Sequence, residues 1–238
     1  MTTETVYIKP LGRKAYGHIG HLPGSRMGPG DHHLNAGQAR IATERVRDKR
    51  DRVIVQEKLD GSCVSVAKID GAIVPLIRAG YAAATSHYRQ HHIFAAWAFE
   101  RQDRFHALLH EGERVVGEWL AQAHGTRYDV GDEDVFVAFD LMTDDRRLVH
   151  AEAADRLLRA GLTIPSVLAA GPTPIENALA RLDTYGFHGA LDPVEGAVWR
   201  VERDDRVDFL AKYVRPDKVD GSYFEVETWN WTPRKAAA

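Results

Sequence analysis

Glu57-Lys58-Leu59-Asp60-Gly61-Ser62 stands between two runs of strand-like residues, and Lys58 is its one amine nucleophile. A lysine amine attacks phosphorus only when deprotonated, so a site using Lys58 this way must lower its pKa by nearby positive charge or desolvation. Arg78, Lys212 or a bound metal are candidates for that charge. The hexapeptide alone fits a surface hairpin better, with Lys58 paired to Asp60. At ordinary residue frequencies a K-x-D-G match arises in roughly one chain of this length in twenty. The weight therefore falls on the polar residues that follow in order: Arg78, Glu118, Phe139, Glu195-Gly196 and Lys212. Glu118 and Glu195 each adjoin a glycine, which permits close backbone approach to a ligand. Taken singly, both carboxylates also fit strand-end surface positions, and Phe139 fits an apolar core strand.

These residues must be positioned by elements the sequence outlines. Val53 to Glu57 alternates as a strand, Leu59 to Ser62 turns, Val64 to Ile69 returns, and Asp70-Gly71 turns again before Ala72 to Arg78. The pattern predicts a β-meander with two Asp-Gly turns. His92 to Leu109 carries apolar residues at helical spacing. Strands are expected at 114–120, 135–142, 196–201 and 208–214, and a helix at 151–160 stopped by Gly161. Thr173-Pro174-Ile175-Glu176 resembles a capping box opening a helix to about Tyr185. Ala36 to Arg52 reads as a solvated, charged helix. Strands outnumber helices and join mostly by turns, so the fold class is α+β with mainly antiparallel sheets.

The 238 residues are enough for one large domain or two small ones. The chain shows no internal repeat, low-complexity segment or long linker, so residues 1–52 read as a loop-rich flank and charged helix of the same domain. A core spans 53–215 and a short tail 216–238. A net charge of −3 argues against a uniformly basic surface, although a local basic groove would still serve for nucleic acid. No apolar stretch reaches membrane-spanning length, and Met1-Thr2-Thr3-Glu4 lacks the features of a secretory signal. The single Cys63 allows no internal disulfide and suits a cytoplasmic location. The adjacent pairs His32-His33 and His91-His92 lack accompanying zinc-ligand spacing. The loop from His21 to His33, with Arg26, reads as a lid or nucleic-acid contact.

Together these residues resemble the covalent nucleotidyltransferases, the ATP-dependent polynucleotide ligases and mRNA capping enzymes, and most of all the RNA ligases of the RNA ligase 2 type. Lys58-Leu59-Asp60-Gly61 is similar to the motif whose lysine becomes bound to AMP. Ile77-Arg78-Ala79-Gly80, Gly117-Glu118-Trp119-Leu120 and the strand Phe136 to Leu141 resemble the next three. Val194 to Arg200 and Leu210-Ala211-Lys212-Tyr213 resemble the last two. The resemblance implies an adenylation domain that takes ATP and Mg²⁺ and joins RNA 5′-phosphate and 3′-hydroxyl ends. Lys58, Glu195 and Lys212 would be catalytic; Glu57, Arg78, Glu118 and Phe139 would join them in binding the nucleotide. Glu195 would position the metal, through water.

Two departures stand out. Cys63 occupies a place where DNA ligases carry arginine and RNA ligase 2 relatives asparagine, which points away from ordinary DNA ligases. Around Lys212, Leu210 and Val214 stand where a second basic residue is common, and Arg215 is the next one. The 23 residues after Arg215 are too few for a C-terminal oligonucleotide-binding barrel. A DNA ligase core, a GTP-dependent capping-type enzyme and a non-catalytic nucleic-acid-binding module remain as alternatives. An end-processing partner protein is a further possibility.

Overall fold

The computed structural model describes residues 8–218 and 226–233; the expectation for Met1 to Glu4 and most of that for the tail 216–238 fall outside them. Ten strands form two five-stranded sheets. The first comprises β1 (Gly20–His21), β2 (Asp51–Lys58), β8 (Val167–Ala170), β9 (Gly196–Arg203) and β10 (Arg206–Val214), in spatial order β1-β10-β9-β2-β8. The second comprises β3 (Ser62–Ile69), β4 (Ala72–Ile77), β5 (Glu113–Trp119), β6 (Phe136–Thr143) and β7 (Arg146–Arg147), in order β4-β3-β5-β6-β7. Every pairing is antiparallel except β1 with β10. Five α-helices complete the described chain: α1 (Ala36–Thr43), α2 (Arg89–Glu100), α3 (Gln102–Leu108), α4 (His150–Arg159) and α5 (Ile175–Leu182). The α+β class and antiparallel character follow the sequence pattern.

The meander is half right. β3 and β4 form a hairpin closed by Asp70 and Gly71, whose φ angles of 50° and 75° suit the two-residue turn expected of that dipeptide. By contrast β2 and β3 do not pair. Leu59 to Gly61 carries the chain from one sheet into the other, so Lys58 ends a strand at a sheet junction and not at a hairpin tip. Glycine is required here because a Cβ at Gly61 would lie 2.5 Å from the Trp119 carbonyl oxygen.

Each sheet has its own apolar core on its outer face. Phe94, Trp97 and Phe105 of α2 and α3 pack with Trp119 and Phe136 of the second sheet. The expected single helix breaks at Arg101, whose φ of −111° and ψ of 19° are not helical. Ala39, Ala42, Ala178 and Leu182 of α1 and α5 cover Val55, Trp199 and Ala211 of the first sheet. A smaller cluster of Tyr16, Val116, Met142 and Leu210 joins the inner faces.

Three further expectations change. The charged run after Ala36 is helical only to Thr43, because Arg47, Asp48 and Asp51 are drawn into ion pairs with Asp208 and Arg203 of β10 and β9. The Thr173 hydroxyl donates to the Gly171 carbonyl at 2.9 Å and caps nothing, so the capping box does not form. That helix stops at Leu182, where Asp183 takes a φ of 58°. No helix among the described residues is long and apolar enough to cross a membrane.

Candidate active site

The inner faces of the two sheets enclose a cavity of about 800 Å³, within the range of small-molecule and cofactor sites. Strand register explains which side chains reach it. Lys58 pairs with Gly196, Gln56 and Lys212 both pair with Val198, and Ile54 and Leu210 both pair with Arg200. Because side chains alternate, Gln56, Lys58, Val198, Arg200, Leu210 and Lys212 share one face, and all of them line the cavity. Glu118 and Cys63, opposite each other on β5 and β3, line it from the second sheet. Arg78, just past the end of β4, lines the rim and donates to the Gly17 carbonyl at 3.1 Å.

Phe139 arrives by a bulge. Val116 pairs with Asp140 and Gly117 with Ala138, which leaves Phe139 as the extra residue on β6. Bulges beside functional sites commonly re-aim a side chain. Half-buried Phe139 meets Tyr16 edge-on at 5.3 Å between centroids and lines the cavity.

Lys58 pairs with Glu195 and not with Asp60. The Asp60 carboxylate instead accepts the Gly125 amide at 3.0 Å and the Thr126 hydroxyl at 3.3 Å. The loop supplying those donors is held from behind: Asn230 donates to the Leu120 carbonyl at 2.7 Å and accepts the Tyr128 amide at 3.0 Å.

The electrostatics around Lys58 reverse the sequence expectation. Burial acts to lower its pKa, but the carboxylates of Glu195, Glu118 and Asp60 outweigh burial and hold it above the ordinary lysine value. The protein's own groups therefore keep Lys58 an ammonium. Burial, reinforced by Glu195 and Asp60, lifts Glu118 to about 7, against the opposing pull of Lys58 and the Gly61 amide. Burial also pushes the Cys63 thiol well up, so it is no nucleophile here.

Glu57 belongs to the opposite face. Its side chain is buried with the α5 side of the sheet, where Oε2 accepts the Phe187 amide at 3.0 Å and Oε1 has no hydrogen-bond partner. Only its main chain can contribute to the cavity. Burial raises its pKa from 4.5 to about 7. A carboxyl held more tightly protonated when folded makes stability fall as pH rises between those values, by about 3 kcal/mol in total. Glu57→Gln should therefore match the wild type near pH 4.5 and exceed it in stability above pH 7. Urea melts across that range, with a constant difference as the contrary result, check this.

The glycines beside the two carboxylates serve packing. A Cβ at Gly117 would lie 2.5 Å from the Phe136 ring, and one at Gly196 would lie 1.9 Å from the Tyr213 carbonyl oxygen. Sequence reasoning also missed Tyr16, Asp31, His124, Asp140 and Arg200 in the cavity wall. Asp140, fully buried, binds Arg200, accepts the Tyr16 hydroxyl at 2.8 Å and accepts Arg147 Nε at 3.1 Å. Its position next to Phe139 is the signal that could have flagged it.

The wall suits a nucleotide. Lys58, Arg78 and Lys212 supply cations for phosphates, and Phe139 offers a face for a base. Among the described residues no three His, Cys, Asp or Glu groups gather to cage a metal. Glu195 and Glu118 offer hard oxygen donors, the type magnesium takes while keeping several waters.

A family model for RNA ligases matches residues 51–214. The chain belongs to the RNA ligase family. Among solved structures it is similar to a lysine-to-alanine variant of the Naegleria gruberi RNA ligase with ATP and Mn, at 17% identity and a TM-score of 0.51 over 84% of this chain and 60% of that one. A second such variant, also with ATP and Mn, gives 17% identity and a TM-score of 0.50 over 70% and 50%. An archaeal ATP-dependent RNA ligase gives 22% identity and a TM-score of 0.48 over 69% and 43%. The Naegleria likenesses show that the fold is that of RNA ligases. The chain spans 43% to 60% of the lengths of the chains in these three structures. No curated protein matches it. The matched segment contains Lys58, Arg78, Glu118, Phe139, Glu195 and Lys212 and leaves out the N-terminal residues that close one side of the cavity.

Proposed function

We propose that this chain is an ATP-dependent RNA ligase that works through a lysyl-AMP intermediate on Lys58. The observation carrying the proposal is that one cavity, between two sheets, receives Lys58, Arg78, Glu118, Phe139, Glu195 and Lys212 from six separate strands or strand ends. Each can do a distinct task. Phe139 stacks on the base, Glu118 accepts from ribose hydroxyls, and Arg78 and Lys212 neutralise phosphates. Nucleotidyl transfer depends on such positioning and charge neutralisation more than on covalent chemistry.

In the first step the Lys58 ammonium gives up a proton to solvent, and Nζ attacks the α-phosphorus of ATP. A P–N bond forms and the bond to the pyrophosphate oxygen breaks. Glu195 holds the amine in place beforehand and must release it, because an ammonium carries no lone pair. A divalent cation, when bound, would neutralise the triphosphate and the departing pyrophosphate, and Glu195 would hold it through water. In the second step an oxygen of an RNA 5′-phosphate attacks the AMP phosphorus, and Lys58 leaves and regains its proton. In the third a 3′-hydroxyl attacks the activated 5′-phosphate, the new phosphodiester forms and AMP departs. The RNA ends come from a cleavage or repair step, with an end-processing partner where the termini need correction. A free Cys63 fits the reducing cytoplasm.

The test is sealing of nicked RNA and nicked DNA duplexes with ATP or GTP. ATP-dependent joining of RNA is the expected result. Reaction with GTP alone would indicate a capping-type enzyme, preference for DNA a DNA ligase core, and RNA binding without reaction a binding module. Within the same account, Phe139→Ala should weaken ATP binding by about 1–3 kcal/mol, roughly 5- to 150-fold, since stacking of a base on an aromatic ring contributes that much. Calorimetric titration measures it, and an unchanged affinity would remove Phe139 from the nucleotide site.

A further inference from the structure

The residues before the family-matched segment build a connected set of polar side chains that begins and ends on β10. His21, fully buried, lies in β1 directly beside Lys212. Its Nδ1 is 2.7 Å from the Ser25 hydroxyl, which accepts the Val214 amide at 2.9 Å. Its Nε2 is in ion-pair contact with Oδ2 of Asp31 at 2.9 Å, and that oxygen accepts the Gly28 amide at 3.1 Å. Oδ1 of Asp31 stands 3.5 Å from Nζ of Lys212. Main-chain bonds clamp the same segment: Leu22 donates to the Lys212 carbonyl at 2.9 Å and Arg26 to the Val214 carbonyl at 3.0 Å.

A serine, a histidine and an aspartate in this order suggest a nucleophile, but the geometry excludes that. Ser25 and His21 are buried and absent from the cavity wall, whereas Asp31 and Lys212 both line it. The set therefore points toward Lys212. We propose that Asp31, oriented by His21, is a positioning residue that holds the Lys212 ammonium at the cavity wall for the α-phosphate of ATP; this rests on the ligase reading above. An ammonium has three donors, so a contact to Asp31 is compatible with a further contact to phosphate. A long flexible stem without that anchor samples many rotamers, and the productive one is populated less often. The contacts also keep Asp31 ionised: burial would raise its pKa, but the Gly28 amide, Lys212 and His21 bring it below the usual value. His18, 4.0 Å from Oδ1 and with its side chain 46% exposed, is a weaker partner.

Single-turnover formation of the AMP adduct tests this in the full chain. Asp31→Asn should lower the rate at saturating ATP about 10- to 100-fold, while the KM for ATP moves less than about threefold. In a Lys212→Ala background the same substitution should have no further effect. An Asp31→Asn rate within twofold of wild type, or an equal loss with and without Lys212, would overturn the proposal. If Asp31→Asn proves unfolded by thermal melting, Asp31→Glu decides with the same readouts, since moving the carboxylate by one methylene should lower the saturating rate and spare KM. A wild-type chain that forms no adduct would instead overturn the ligase reading together with this inference.

Discussion

Lys58→Ala should abolish ATP-dependent sealing, a loss of roughly 10⁴-fold or more, yet leave joining of an RNA strand already carrying 5′-adenylate largely intact. The asymmetry follows from what Lys58 does. It forms a bond to phosphorus in the first step and breaks it in the second, but in the third the 3′-hydroxyl attacks an activated phosphate that no longer touches the lysine. Lys58 pairs with Gly196 at the end of β2, and Glu195 accepts its ammonium. Removing the amine therefore frees a carboxylate that is 8% exposed and leaves the sheet itself paired. Parallel sealing assays with ordinary and pre-adenylated strands measure the two arms. Equal loss in both would mean that Lys58 supports the site as a whole and does not carry the nucleotide.

The second large effect is on stability. Asp140→Ala should destabilise the protein by about 3–5 kcal/mol, because it strands a buried cation. Arg200 is 3% exposed and its guanidinium binds Asp140 and the carbonyls of Phe139 and Leu148; Tyr16 and Arg147 lose the same partner. A whole domain commonly has only ~5–15 kcal/mol of stability. The substitution thus removes a large share of it, and it loosens the strand that presents Phe139. Urea denaturation of the variant measures the change, and a loss under about 1 kcal/mol would show that Arg200 finds other partners.

Local chemistry was legible in the chain; its long-range pairing was not. The Asp70-Gly71 turn, the stop at Gly161 and the strands carrying Glu118 and Phe139 follow from residue type and spacing. The polar series could be read in order because each member sits in its own short motif. Yet alternation in Val53 to Glu57 and Val64 to Ile69 reports only that each is a strand. It does not say that the chain changes sheets between them at Gly61. The run of charges before Asp51 looked like a wet helix because its partners, Arg203 and Asp208, lie about 150 residues further on. The bulge that frees Phe139 is invisible without knowing its neighbour strand. The sign of the field at Lys58 was misjudged for the same reason: Glu195 and Glu118 come to it only through strand register. Asp31 and His21 were hidden in a glycine- and proline-rich loop whose parallel pairing with β10 leaves no periodic signature.

The most direct measurement is the intact mass of the purified protein and of Lys58→Ala after incubation with ATP and Mg²⁺, each first treated with pyrophosphate to strip any AMP already attached. A gain of one AMP on the wild-type chain, absent from Lys58→Ala, is the predicted result. No gain on either protein, or the same gain on both, would contradict the assignment of the covalent step to Lys58.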